Sequence, residues 1–263
     1  MPTVSNMGAE IALPRLELRP WGLFTQIVEE VDVVREDVDR TGFGAKWIVR
    51  GPYTPNAVAV DCETEEAIDT REINLDTVEQ MPFSSYDMLQ CSSIGGLDMP
   101  EINAMLLADE EFTRSAALTL AITTQITPDH LNLLDDSTLL GAGTDIADAM
   151  GLIENGLGDR IANARGHIFV PLRLLAAAFD HSAVFLRDGE LSSPAGHRVI
   201  SDSGHGLDNH LFATGALAYS MTDPMLVTGD GHLDRETNTL LSIWERKAFV
   251  AFNPLHSVRA TVT

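Results

Sequence analysis

The residue types best suited to chemistry in this sequence are gathered between residues 197 and 210. His197, Asp202, His205, Asp208 and His210 lie there, and imidazole and carboxylate groups bind zinc and carry out acid–base catalysis. One interpretation is a metal-dependent hydrolase that uses the three histidines. The other is a polar surface loop, because no two of the histidines have the H-x-x-x-H spacing of a helical site and the glycines among them indicate mobility rather than a rigid site.

Other short motifs are weaker still. Ser203 lies in "SDSGHG", which lacks the G-x-S-x-G turn that exposes a nucleophile between a strand and a helix. "GAGTD" (141–145) and "GDG" (229–231) match neither phosphate-binding glycine pattern, and "TGDGHLD" lacks the spacing of a calcium loop. We therefore predict no catalytic residue, no cofactor and no metal ion, and a protein that is not an enzyme.

The charge of the chain excludes several classes of partner. Among 263 residues, 17 Lys and Arg oppose 39 Asp and Glu, which gives a formal net charge of −22. Binding to nucleic acid or to anionic lipid needs clustered cations, so we expect no specific nucleic-acid binding and no membrane docking. No apolar run approaches the roughly 18 residues of a membrane span. Two cysteines do not make a disulfide scaffold.

Two long helices are predicted around the middle of the chain. Asp98, with Pro100 and Glu101 behind it, is typical of a helix start, and apolar residues then recur along one face to about residue 126. Thr144 is the expected N-cap of a second helix that stops near Gly166. The apolar face of this second helix consists of Ile146, Ala149, Met150, Ile153, Leu157 and Ile161.

Strand patterns dominate the second half of the chain. The sequence predicts a hairpin turn at Asp188–Gly189 and a loop over 201–210. Alternation predicts a half-buried last strand over 256–263, in which His256, Val258, Ala260 and Val262 share one face. The other predicted elements are a buried strand at 167–171, a short apolar helix at 171–179, one strand over 211–221 and one over roughly 239–252. Helices mixed with hairpins and long strands indicate an α+β fold.

The region from 41 to 96 has no convincing helix. If it forms one hairpin with its tip near Asp76 and Thr77, then Cys62 and Cys91 lie equally far from that tip. They would then either form a disulfide across the two arms or remain free thiols.

Two stretches carry a resemblance to a known family. "DRETNTLLSIWERKAFVAFNPLHSVRATV" (234–262) resembles the ending of tailed-bacteriophage major capsid proteins of the Hong Kong 97-like fold. In these proteins an Asn precedes a strand with a Glu-Arg pair, and a Pro precedes a last short strand. The equivalent positions in 234–262 are Asn238, Glu245, Arg246, Pro254 and 256–262. "RPWGLF" (19–24) and "GLGDRIANARGHIFVPLRLLAAAF" (156–179) are similar to capsid proteins of phages infecting actinobacteria.

The resemblance implies a division of the chain into four parts. It implies an N-terminal arm, an extended loop over a neighbouring subunit, a peripheral domain with a long spine helix, and an axial domain. These would be residues 1–20 for the arm; 41–96 for the loop; 21–40 with 97–130 and 222–253 for the peripheral domain; and 131–221 with 254–263 for the axial domain.

The implied function is a major capsid protein that assembles into the icosahedral shell around a tailed-phage genome. The implied partners are copies of the chain in pentamers and hexamers, a portal and a decoration protein. A separate scaffolding protein is expected, since the sequence begins with the arm. The place would be the virion, assembled in the host cytoplasm. With Lys46 and Lys247 as its two lysines, the chain is expected to form no isopeptide cross-link. An encapsulin-like compartment and the metal-dependent hydrolase remain as alternatives.

Overall fold

The computed structural model describes residues 21–23, 29–30, 45–50, 75–80, 83–91, 99–126, 130–226, 233–234 and 239–263. In this part of the chain the α-helices are α1 (Met99–Thr123), α2 (Leu133–Asp136), α3 (Ile146–Ile161) and α4 (Leu175–Asp180). The strands are β1 (Glu29–Glu30), β2 (Ala45–Arg50), β3 (Leu75–Gln80), β4 (Phe83–Cys91), β5 (Thr138–Gly143), β6 (His167–Phe169), β7 (Phe185–Arg187), β8 (Glu190–Ser192), β9 (Arg198–Ile200), β10 (His210–Thr214), β11 (Leu217–Met221), β12 (Met225–Leu226), β13 (Leu233–Asp234), β14 (Thr239–Phe252) and β15 (Val258–Val262). No helix among the described residues is long and apolar enough to cross a membrane.

Both long helices form where the sequence predicts them. The cap of α3 is Asp145 rather than Thr144, because the Asp148 N–H donates to Asp145 Oδ1 at 2.8 Å. This helix also stops earlier than Gly166, at Ala162, whose φ of 52° breaks the helical repeat. All six residues of the predicted apolar face are buried.

The seven-stranded sheet forms the first of two cores. Its strand order is β5-β15-β10-β6-β9-β8-β7, so the two outermost strands are β5 and β7. Helix α3 packs across β5, β15 and β10. Its residues Met150, Ile153 and Leu157 are 1%, 0% and 0% exposed. The glycine-containing stretch 138–143 forms β5, a strand that the sequence analysis did not predict.

The six-stranded sheet is built around one long strand. β14 pairs with β11, β12, β13 and β4, and β1 adds to β11 in parallel. The pairing with β4 runs over nine residue pairs, from Leu240 opposite Cys91 to Ala248 opposite Phe83. The predicted strand over 239–252 is confirmed with the same limits.

A second core joins the two sheets. Leu118 and Ile122 of α1 pack there with Phe169 and Phe212 of the seven-stranded sheet and with Phe252 of β14. The chain passes between the sheets at Gly215. The predicted single strand over 211–221 is therefore wrong, because β10 and β11 belong to different sheets.

Two predicted turns have different outcomes. The hairpin at Asp188–Gly189 is confirmed: both residues have positive φ, 52° and 86°, as a two-residue turn between β7 and β8 requires. The hairpin tip near Asp76 and Thr77 is wrong, because both lie inside β3.

The register of β2 and β3 also excludes a hairpin tip at Asp76 and Thr77. Ala45 is opposite Gln80 and Arg50 is opposite Leu75. The two strands therefore connect through residues 51–74. Cys91 lies in β4, opposite Leu240 of β14, so the symmetric placement that suggested a disulfide is absent. Cys62 and the arm at 1–20 are outside the described residues.

Candidate functional site

The polar stretch from 197 to 210 is divided among three separate structural roles. His197 is 7% exposed, and its Nδ1 accepts a hydrogen bond from the Gly166 N–H at 3.0 Å. Burial lowers the pKa of His197, and the nearby Arg165 cation lowers it further, against the opposing effect of Glu154. The ring is therefore a neutral acceptor in the first core, held away from the other histidines by the strand that follows it.

Asp202 ties the loop to distant parts of the chain. Its carboxylate accepts a hydrogen bond from Ser115 Oγ of α1 at 2.6 Å, and Ser115 Oγ in turn accepts from the Leu23 N–H at 3.1 Å. The Ser201 N–H also donates to the Trp21 carbonyl at 3.0 Å. We call the set Trp21, Leu23, Ser115, Ser201 and Asp202 the clip. It holds residues 21–23 against α1 and the 197–210 loop.

The glycines of this loop allow close packing against α1. A Cβ added at Gly204 would lie 1.8 Å from the Ala116 carbonyl oxygen, and one at Gly206 would lie 1.9 Å from a methyl carbon of Thr124. The Gly206 N–H donates to Thr123 Oγ1 at 3.1 Å. The sequence interpretation of these glycines as a sign of mobility is therefore wrong. Glycine is needed because the loop backbone lies directly on the helix.

His205 and His210 both stack on Phe212. The ring centroids are 5.4 Å and 5.9 Å from that of Phe212. Burial lowers the pKa of His205 to about 4, and the neighbouring His210 adds to this effect. His210 Nδ1 contacts Asn209 Oδ1 at 2.9 Å. The two rings cover an aromatic side chain of the second core.

The structure does not bring these positions together as a three-histidine metal site would require. Asp208 pairs with Arg173 at 3.1 Å on the surface, and Ser203 Oγ lies 3.4 Å from its neighbour Asp202. Among the described residues no group of three or more His, Cys, Asp or Glu side chains could hold a metal ion. The geometry is that of a structural loop.

The last strand is enclosed between two neighbouring strands of the seven-stranded sheet. β15 lies between β10, which it pairs antiparallel, and β5, which it pairs parallel. Val258 and Ala260 are 0% exposed. The predicted inward face is confirmed for these two residues. His256 is also buried but belongs to a 3-10 helix (Pro254–His256), where the Asn253 side chain caps the turn.

Sequence reasoning missed the residues that hold these elements together. Ser115 and Asp202 are 87 positions apart, and the hydroxyl of Ser257 donates to that of Thr214, 43 positions away, at 3.0 Å. A serine inside an amphipathic helix gives no local signal of such a bond. The capping asparagines are different, since Asn253 and Asn132 precede helical turns and local patterns can find them.

Comparison with known proteins gives one kind of match. No family model and no curated protein sequence matches the chain. Among solved structures, the capsid of a native GTA particle has a TM-score of 0.56 at 14% identity, over 100% of this chain and 98% of that chain. A structure of Microbacterium phage Oxtober96 has a TM-score of 0.56 at 11% identity, over 98% and 96% of the two chains.

A third structure matches at similar strength. It contains the gp27 major capsid proteins and gp26 decoration proteins of Phage G, with a TM-score of 0.51 at 12% identity, over 100% of this chain and 99% of that chain. At such identities the likeness concerns the fold, and it extends over almost the full length of each chain. The chain therefore has the α+β fold of phage capsid proteins, the Hong Kong 97-like class that its sequence resembles.

Proposed function

We propose that this chain is the major capsid protein of a tailed bacteriophage and assembles into the icosahedral shell that encloses the genome. The observation that carries the proposal is the full-length likeness to capsid structures, including one of major capsid proteins. The contacts of the 197–210 residues agree with it, because His205 and His210 stack on Phe212 and Asp202 accepts a hydrogen bond from Ser115. A non-enzymatic, shell-forming role is the function that agrees with both.

The proposed parts of the subunit follow the division that the sequence resemblance implies. Residues 1–20 form an arm, 41–96 an extended loop, 21–40 with 97–130 and 222–253 a peripheral domain, and 131–221 with 254–263 an axial domain. The seven-stranded sheet, drawn from residues 138–214 and 258–262, supports the axial domain as one unit. Helix α1, with 25 residues, is long enough for the spine helix of the peripheral domain.

The charge of the chain fits a container for DNA. A wall with a formal charge of −22 per copy repels phosphate at distances up to about the 8–10 Å screening length, so packaged DNA would not adhere to it. Assembly must then rest on apolar burial, strand pairing and local ion pairs that exceed the self-repulsion. The proposed partners are further copies of the chain, a scaffolding protein, a portal and a decoration protein, in a virion assembled in the host cytoplasm.

Particle formation tests the proposal. We expect the chain, expressed with the proteins encoded beside it, to sediment as large particles that negative-stain microscopy shows as closed icosahedral shells. Native particles should contain genome-length DNA. Native particles filled with protein and free of nucleic acid would favour an encapsulin-like compartment instead. A small, uniform oligomer with stoichiometric zinc would overturn the proposal in favour of a hydrolase.

A further inference from the structure

The two outer strands of the seven-stranded sheet each have one unpaired side within the described part of the chain. β5 is paired only with β15, and β7 only with β8, among the described strands. An outer strand presents unpaired backbone N–H and C=O groups, which proteins usually cover or protect. Each of these strands also exposes a large apolar side chain: Leu139 of β5 and Leu186 of β7 are both 55% exposed.

The β5 edge is acidic. Helix α2 ends with Asp135 and Asp136 directly before β5, and α3 begins with Asp145 and Asp148 directly after it. Among the described residues, no Lys or Arg forms a salt bridge with any of these four carboxylates. They are held instead by local backbone and amide donors, such as the Asn132 N–H that donates to Asp136 Oδ2 at 2.8 Å. A single cation, Arg259, lies next to Leu139 on the adjacent strand.

The β7–β8 hairpin edge carries a small positive excess, with Arg165, Arg187 and Arg198 against the carboxylates of Asp188 and Glu190. Arg165 and Arg198 both approach the Glu190 carboxylate, at 3.1 Å and 3.7 Å. Arg187, opposite Glu190 in the hairpin, is exposed and has no salt bridge to any described residue. A shallow cleft at this edge is lined by Arg165, Arg187, Asp188, Glu190, Ser192 and Gly196. Three arginines in one place are notable in a chain with 17 cations and 39 carboxylates.

We propose that copies of this chain associate head to tail, with the β5 edge of one copy docked against the β7–β8 hairpin edge of the next. The inference rests on the proposed shell-forming function and names the contact that it uses. Exposed Leu139 would pack against Leu186, and the aspartates around β5 would face Arg187 and its neighbours. The occupant of each edge is a second copy, because one subunit supplies both complementary halves.

The positions of the two edges decide the symmetry of the contact. Six inter-strand spacings of about 4.8 Å separate them, roughly 29 Å in all, so one copy cannot satisfy both edges by itself. A two-fold contact would place like charges opposite each other at either edge. A heterologous contact places unlike charges together, and such contacts close into rings when the rotation allows it.

Disulfide trapping tests the contact directly. In the Leu139→Cys/Leu186→Cys double variant, oxidised assemblies should run on a non-reducing denaturing gel as a ladder up to the size of a full ring. The wild type and each single variant should run as monomers under the same conditions. Leu120→Cys/Leu186→Cys is the matched control, since Leu120 is 45% exposed on α1 and away from both edges. Its ladder should be absent.

A second experiment reverses charges on the two sides of the contact. Asp135→Arg and Arg187→Glu should each lower the assembled fraction about tenfold, because each places like charges across the contact. The Asp135→Arg/Arg187→Glu double variant should recover assembly. An equal mixture of the two single variants should recover only rings with an even number of copies, because the two variants must alternate to place unlike charges together. Asp109→Arg, an exposed change on α1, should assemble as the wild type does.

The outcomes separate the two proposals. Wild-type shells with no specific ladder and no charge effect would overturn the head-to-tail contact and leave the proposed function standing. A wild type that stays monomeric with its co-expressed partners would overturn both. A ladder of dimers alone would indicate a two-fold contact and would also contradict the inference.

Discussion

The two sheets of this subunit are stabilised in different ways. In the seven-stranded sheet the strands have three to six residues, and side chains on its central strands are completely buried, with Phe169, Phe212 and Val258 all 0% exposed. In the six-stranded sheet four strands pair with β14, which has 14 residues. The side chains known to be buried in β14 are confined to its last five residues: Ala248, Val250 and Phe252.

The difference shows which interactions hold each region. Short strands contribute few backbone bonds, so the seven-stranded sheet depends on apolar burial against α3 and the second core. The far part of β14 is held by its ladder to β4, nine residue pairs long. Single substitutions should therefore be severe in the first sheet and graded along β14 in the second.

The largest effect is expected at the last strand. Val258→Asp would bury an unpaired charge between β10 and β5, and we expect the free energy of unfolding to fall by about 3–5 kcal/mol. Deleting residues 256–263 should abolish shell assembly, because the buried Val258 and Ala260 are lost and both β10 and β5 lose their partner strand. Chemical denaturation and sedimentation measure the two effects. Arg259→Ala, on the opposite face, should cost less than about 1 kcal/mol. Normal shells from the truncated chain would mean that the sheet does not depend on β15.

Two positions on β14 test whether the cost of a substitution differs between the two ends of this strand. Phe252→Ala should lower the free energy of unfolding by about 3–4 kcal/mol, because its ring is 3% exposed in the core that joins the sheets. Ile243→Ala should cost about 1 kcal/mol, since its side chain is only partly buried. Urea denaturation compares the pair. Equal losses at the two positions would contradict the gradient.

Acid should weaken the boundary between the sheets. The pKa of His205 is about 4 when folded and about 6.5 in a model peptide, so the unfolded chain binds more protons between these values. Stability from this residue is present above pH 6.5, decreases as the pH falls, and is fully lost below about pH 4. The partly solvated ring should account for about 2 kcal/mol. Denaturation of His205→Gln between pH 7 and 4 should show a shallower loss than the wild type, while an unchanged slope would exclude this histidine.

A smaller loss of stability is expected at the clip. Ser115→Ala removes the hydroxyl that joins the Leu23 N–H to the Asp202 carboxylate, at a cost of about 1–2 kcal/mol. Protease cleavage near residues 21–23 should become faster as the anchor loosens. Ser203→Ala is the matched control, because that exposed hydroxyl contacts the same carboxylate at the longer distance of 3.4 Å. The clip would be dispensable if both variants behaved alike.

Local pattern in the sequence determined most of the elements. The face of α3, the turn at Asp188–Gly189, the limits of β14 and the inward face of β15 were all predicted, because helix and strand periodicities and turn residues act over a few positions. The class of fold followed from the order of these elements.

Only the tertiary structure decided how the elements meet. The break at Gly215 sends β10 and β11 into different sheets, and no local pattern distinguishes this from one continuous strand. Strand pairing sets the register of β2 and β3, in which Asp76 and Thr77 lie opposite Val49 and Ile48 instead of forming a hairpin tip. Gly204 looked mobile but lies against Ala116, 88 positions away, because the space around a residue is set by distant backbone that its own sequence neighbours do not specify.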